Sequence, residues 1–226
     1  GTRNLVALVG YGVVALSGYV ALYEIYRGAA ARSRTRSENL ALATLALFTR
    51  NRRRYGGYIV HLGITVMGIG MLGSTLFQFE TQRTMAVGET IQVQDYQFRY
   101  DALREGQIAL DGRLMDIAEV TVLRDGREVA HLRPRRDFFP ETSGLNTMTI
   151  AGSHSTLEND FYVLLVGWED IGAHSATFKI YINPLVNWIW LGGVILMLGT
   201  FVSVWPRGGA TVRQSARVDR AAVASA

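Results

Sequence analysis

The feature that most constrains this chain is an apolar run, Tyr58 to Phe79, whose single ionisable residue is His61. A helical run of about 20 residues, rising ~1.5 Å per residue, crosses a hydrocarbon core of ~30 Å. An imidazole held in such a setting is costly unless it finds a partner. Residues of this kind therefore face a bundle interior, a cofactor or a proton path.

Two further runs, Leu5 to Tyr23 and Leu185 to Trp205, also lack Lys, Arg, Asp and Glu. Together the three hold the apolar surplus of a chain that is 49% hydrophobic and only 19% charged. This pattern predicts an α-helical polytopic membrane protein with three spans. The expected divisions are a first span within 1–27, an arginine-rich loop over 28–57, a second span over 58–79, an inserted stretch over 80–183, a third span over 184–205 and a disordered tail over 206–226. There is no cysteine, which excludes a disulfide framework, a thiolate metal site and a c-type haem attachment motif. The sequence opens on Gly1 rather than Met, and the expectation is of a piece of a longer or divided protein.

Charge gives the orientation. Arg27, Arg32, Arg34, Arg36, Arg50, Arg52, Arg53 and Arg54 stand between the first two runs, with Glu38 set among them, and Arg207, Arg213, Arg217 and Arg220 follow the third. The positive-inside rule puts both segments in the cytoplasm, so Glu80 to Asn183 must lie outside. That stretch holds ten basic and sixteen acidic residues, a net charge of −6. The high isoelectric point thus reflects topology and gives no case for nucleic-acid binding. Between the arginines, Ser37 to Phe48 is too short to span and reads as an interfacial helix with Ser37 as its N-cap.

Within the second span, His61, Thr65, Gly68 and Leu72 fall on one helical face, while Gly56, Gly63 and Gly70 recur every seven residues. Small residues beside His61 are expected to leave room for something flat. Chemistry alone leaves three roles open for His61: a ligand to haem iron, a proton relay, or a hydrogen bond to a neighbouring helix.

Glu80 to Asn183 reads as an all-β domain, a small barrel or sandwich. Thr90 to Tyr100 alternates as one strand, and Glu119 to Arg124 and Glu128 to Leu132 flank Asp125-Gly126, a type I′ hairpin signal. Further strands are expected at 147–150, 161–166 and 176–182. Pro134 to Pro140 reads as a basic, aromatic loop, and His131, His154 and His174 as surface residues. Pro184 is expected at the start of the third helix, with Trp188 and Trp190 at the outer interface and Trp205 at the inner one.

The segment from Arg53-Arg54-Tyr55-Gly56-Gly57-Tyr58-Ile59-Val60-His61-Leu62-Gly63, with the β insert and Tyr181-Ile182-Asn183-Pro184-Leu185-Val186-Asn187-Trp188-Ile189-Trp190, resembles the C-terminal part of the CcmF family, the haem-lyase subunit of cytochrome c maturation. Leu132-Arg133-Pro134-Arg135-Arg136 and Asp160-Phe161-Tyr162-Val163 add to the resemblance, which covers about Arg52 to Trp205. It implies that His61 is an axial ligand of a transmembrane haem b whose second histidine lies upstream. It also implies a bacterial inner-membrane location, with the β domain on the periplasmic side. The implied partners are the upstream part of the lyase, haem-chaperone and apocytochrome-handling subunits, apocytochrome c and the bilayer. The family's tryptophan-rich haem-presenting motif and paired outer histidines have no counterpart in this sequence, so no catalytic residue is expected in this segment, and it is not expected to be active by itself. A competing reading makes the chain a haem-free membrane scaffold in which His61 only bonds another helix.

Overall fold

The computed structural model describes residues 5–139, 146–168 and 175–205. His174, Pro140 and the tail over 206–226 lie outside the described residues. Contacts divide the chain into two units: Gly1–Gly12 with Val66–Leu191, and Val13–Thr65 with Gly192–Ala226.

Among the described residues three helices are long and apolar enough to cross a membrane: α1 (Leu5–Arg36), α3 (Arg52–Leu76) and α4 (Val186–Val204). Helix α1 runs well past the apolar run that announces it, because Ala29, Ala30 and Ala31 favour helix and Arg34 and Arg36 sit in the last turn, where the helix dipole favours cations. It stops at Ser37, whose φ of 51° is left-handed. Ser37 therefore does not cap the next helix. Asn39 does, its side chain accepting from Ala41 N at 3.2 Å to open α2 (Leu40–Arg50). The turn is fixed by Arg32, which donates to both carboxylate oxygens of Glu38 at 2.9 and 3.1 Å, and by Ser33 Oγ, which donates to Glu38 O at 2.7 Å.

The larger unit is a two-sheet antiparallel sandwich carrying short helical ends. One sheet has the order β1-β10-β9-β8, from β1 (Phe79–Ala86), β8 (Gly152–Ser155), β9 (Asn159–Trp168) and β10 (Ser175–Pro184). The other is β2-β3-β4-β6-β7, with β5 also on β4, from β2 (Thr90–Val93), β3 (Tyr96–Ile108), β4 (Leu114–Arg124), β5 (Arg127–Leu132), β6 (Arg135–Phe139) and β7 (Asn146–Ile150). The all-β expectation thus resolves into a sandwich. Strand alternation sends Phe98, Tyr100, Val120 and Val122 from one sheet against Phe161, Val163, Leu165, Phe178, Ile180 and Ile182 from the other, and all of them are buried. Edge-to-face contacts lock the layers, with Tyr96 and Phe161 centroids 4.5 Å apart and Tyr100 and Phe178 4.9 Å apart.

Three sequence expectations are corrected here. The alternating stretch Thr90 to Tyr100 is two strands: Val93 pairs with Tyr96 across Gln94-Asp95, and Gln94 takes a φ of 53°. Residues 135–139 are no loop but strand β6, paired with Leu114 to Ile117 of β4 and with β7. Pro184 does not begin the third helix; it ends β10 opposite Asn159, and Leu185, with φ 60°, makes the turn into α4. At Asp125-Gly126 the φ values of 53° and 74° fit the expected type I′ hairpin.

β1 and β10 pair from Phe79↔Ile182 to Ala86↔Ser175, so the chain enters and leaves the sandwich on adjacent strands. Gln78 Nε2 donates to Asn183 Oδ1 at 2.7 Å across that entrance. Trp188 Nε1 donates to Leu157 O at 3.0 Å and Asn187 Nδ2 to Thr156 O at 2.6 Å, tying the start of α4 to the β8–β9 turn.

Candidate functional site

His61 lies in the smaller unit, one turn beyond Tyr58 on α3. Its side chain is exposed and its imidazole bonds to no described residue; the bond recorded at this residue is backbone, Thr65 Oγ1 donating to His61 O at 2.9 Å. It opens onto a groove of about 420 Å³ walled by Val13, Leu16, Ser17, Val20 and Ala21 of α1 and by Tyr58. A neutral imidazole against apolar side chains can present a nitrogen lone pair to a metal centre, and no described residue bonds to the ring nitrogens of His61.

The helix face carrying His61 is turned to α1. A Cβ on Gly18 would lie 2.8 Å from Thr65 Cγ2, which shows how closely that wall approaches. The heptad glycines do something else. Gly56 and Gly63 meet the backbone of α4, with a Cβ on Gly63 only 2.6 Å from Leu196 N. The expectation that these glycines make room beside His61 is therefore corrected: they let two helix backbones touch, and the space before His61 comes from the side chains of α1.

At the Arg54 end of the groove stands a polar cluster that sequence reasoning overlooks. Glu24 of α1 follows the first apolar run by one residue, 30 positions before Arg54, and only the fold joins them. Arg54 Nη2 donates to Glu24 Oε2 at 2.9 Å, Arg54 Nε to the Tyr58 hydroxyl at 3.0 Å, the Tyr58 hydroxyl to Glu24 Oε2 at 3.2 Å, and Arg27 Nη2 to the same oxygen at 3.1 Å. The one available signal is an acidic residue at the edge of a span facing arginines.

The other described histidines, His131 and His154, belong to the larger unit. His131 is exposed on β5, where the Thr121 hydroxyl lies 3.3 Å from its Nδ1 while donating to Asp101 Oδ2 at 2.5 Å. The hydroxyl proton is thereby used, which leaves the Thr121 oxygen able to accept from His131 Nδ1 in the tautomer that carries a proton there. His154 is half-buried on β8 and stacks on Phe161 with centroids 6.2 Å apart. Among the described residues no three His, Asp or Glu side chains group as a metal site.

Comparison with known proteins agrees with the sandwich. Residues 76–184 match the family model described as the CcmF C-terminal beta-sandwich. The sandwich is that of the CcmF family. CcmF of Pseudomonas aeruginosa, a cytochrome c-type biogenesis protein, is 30% identical over 148 residues, 66% of this chain and 22% of its own length. CcmF of Haemophilus influenzae is 27% identical over 203 residues, 89% of this chain and 29% of its own. The chain thus spans about a quarter of the length of these CcmF relatives. A solved structure, the cytochrome c heme lyase CcmF, shares the fold at a TM-score of 0.57 and 22% identity, covering 90% of this chain and 40% of the other.

Proposed function

We propose that this chain is the C-terminal part of a cytochrome c haem lyase and that His61 supplies one axial ligand of a haem b held within the membrane. The observation that carries the proposal is His61 itself: an exposed imidazole, bonded to no described side chain, on an apolar groove beside α1. The scaffold reading instead has that imidazole bonded to another helix.

The residues present fit such a group in a specific way. His61 would hold the iron from one side, and Val13, Leu16, Val20 and Ala21 would exclude water from the ring. Bound there, the group would supply one-electron chemistry tuned by its ligands and its burial. The second ligand is assigned to the upstream part of the same lyase. The arginines of α1 to α3 would face the cytoplasm, and the acidic sandwich would stand on the periplasmic side of the bacterial inner membrane as a docking surface for subunits that handle haem and apocytochrome c.

An optical spectrum of the complete membrane assembly tests the proposal. Bis-imidazole low-spin Soret and α bands are expected; an assembly that folds and carries no such bands would overturn it.

A further inference from the structure

The cluster of Glu24, Arg27, Arg54 and Tyr58 has no part in the ligand assignment, yet Tyr58 joins it to the same groove. Arg54, Tyr58 and His61 stand at i, i+4 and i+7 on α3, on one helix face, with Arg54 about 10 Å from His61 along the axis. Tyr58 belongs to both features, lining the groove with His61 and bonding Arg54 and Glu24.

We propose that Arg54, oriented by Tyr58 and Glu24, is the carboxylate-recognition group for the macrocycle ligated at His61, a dicarboxylate tetrapyrrole. This rests on the ligand reading given above. Two observations and one geometric expectation support it. First, the cluster is not neutral: Glu24 carries one negative charge against the two positive charges of Arg27 and Arg54, leaving a surplus positive charge at the end of an otherwise apolar groove. Second, the guanidinium is held rather than floating. Nε and Nη2 are fixed on Tyr58 and Glu24, while Nη1 bonds to no described residue and 58% of the side chain is exposed. An arginine fixed through one edge presents its remaining N–H groups in a set direction, which suits a planar carboxylate. Third, Arg54 stands two turns before His61 on the same helix face, so a carboxylate carried by a group held at His61 would find Arg54 on the helix-start side, and a bond to a charged group would count for more where apolar side chains keep water away.

The experiment compares haem with its dimethyl ester, whose carboxylates are masked, in the complete assembly isolated without haem and then reconstituted. The readout is the rate at which the ligand leaves to an acceptor apoprotein, followed by its Soret band. The wild-type assembly should release the ester roughly 10-fold faster than haem or more, the loss expected for a charge-assisted hydrogen bond. Arg54→Gln should release both at one similar, fast rate, and Tyr58→Phe should fall between, with the low-spin spectrum retained in each. Equal release of haem and ester by the wild type would overturn the proposal even if the Arg54 variant failed to assemble. So would an Arg54→Gln assembly that still holds haem more tightly than ester. A wild-type assembly with no low-spin spectrum would instead overturn the ligand reading, and the carboxylate assignment with it.

Discussion

Gly63 of α3 and Gly192 of α4 meet through their backbones: a Cβ on Gly63 would lie 2.8 Å from Gly192 O. The approach repeats two turns earlier, where a Cβ on Gly56 would lie 2.9 Å from Gly199 O. In lipid, where apolar side chains gain little by leaving their solvent, such contact is a principal source of helix association. Gly63→Leu should therefore lower the thermal midpoint of the detergent-solubilised protein, by a free energy on the order of the 1–3 kcal/mol typical of overpacking. Gly57→Ala, whose Cβ would meet no described residue within 4 Å, should leave it nearly unchanged. Equal midpoints for the two variants would contradict the backbone contact.

Among the described residues the buried core of the sandwich runs from Met85 to Ile182, so a segment covering 80–183 should fold by itself, and it should bind no haem. Within it, Asp101 has its carboxyl pushed up by burial but drawn below the ordinary value overall by the Thr121 hydroxyl and by Arg99, each at 2.5 Å. A carboxyl whose folded pKa is depressed contributes stability that is present above the unfolded value of about 3.9 and disappears as pH falls through the folded one. The urea midpoint of the segment should fall in acid below about pH 4, and Asp101→Asn should be weaker near neutrality with a shallower acid loss. An unchanged acid limb in that variant would remove Asp101 from the account.

Because the chain contains no cysteine, single cysteines give a clean test of orientation. Glu128→Cys on β5 should react with a membrane-impermeant thiol reagent added to spheroplasts, and Arg36→Cys at the end of α1 should react only after the membrane is opened. Both positions are exposed, so burial does not confuse the readout. The reverse pattern would invert the proposed topology.

What the sequence made legible follows from local physics. Val120 and Val122 alternate with Thr121, and Asp125-Gly126 demands a tight turn, so that hairpin can be read directly. Strand β1 could not be read, since Glu80, Thr81, Gln82, Arg83 and Thr84 form no apolar alternation and are ordered by pairing with β10. Arg135 and Arg136 likewise disguise β6, whose Asp137 is wholly buried and held by Arg113 at 3.0 Å and Arg135 at 3.2 Å. For the site, His61 announced itself as an ionisable residue in an apolar run. The groove before it did not, because which helix faces His61 depends on where the glycines send α4. Glu24 remained hidden because its partners Arg54 and Tyr58 lie 30 and 34 residues away.

The central claim is that His61 is an iron ligand, and its loss is the measurement that bears most directly on it. In the complete assembly, His61→Ala should leave a haem with one strong nitrogen ligand fewer, so haem content should fall or the spectrum turn high-spin. Added imidazole should partly restore the low-spin bands by refilling the cavity left by the side chain. If His61→Ala instead retains full haem content and an unchanged low-spin spectrum, and differs only by the ~1 kcal/mol expected from a lost interhelical hydrogen bond, the ligand assignment is contradicted.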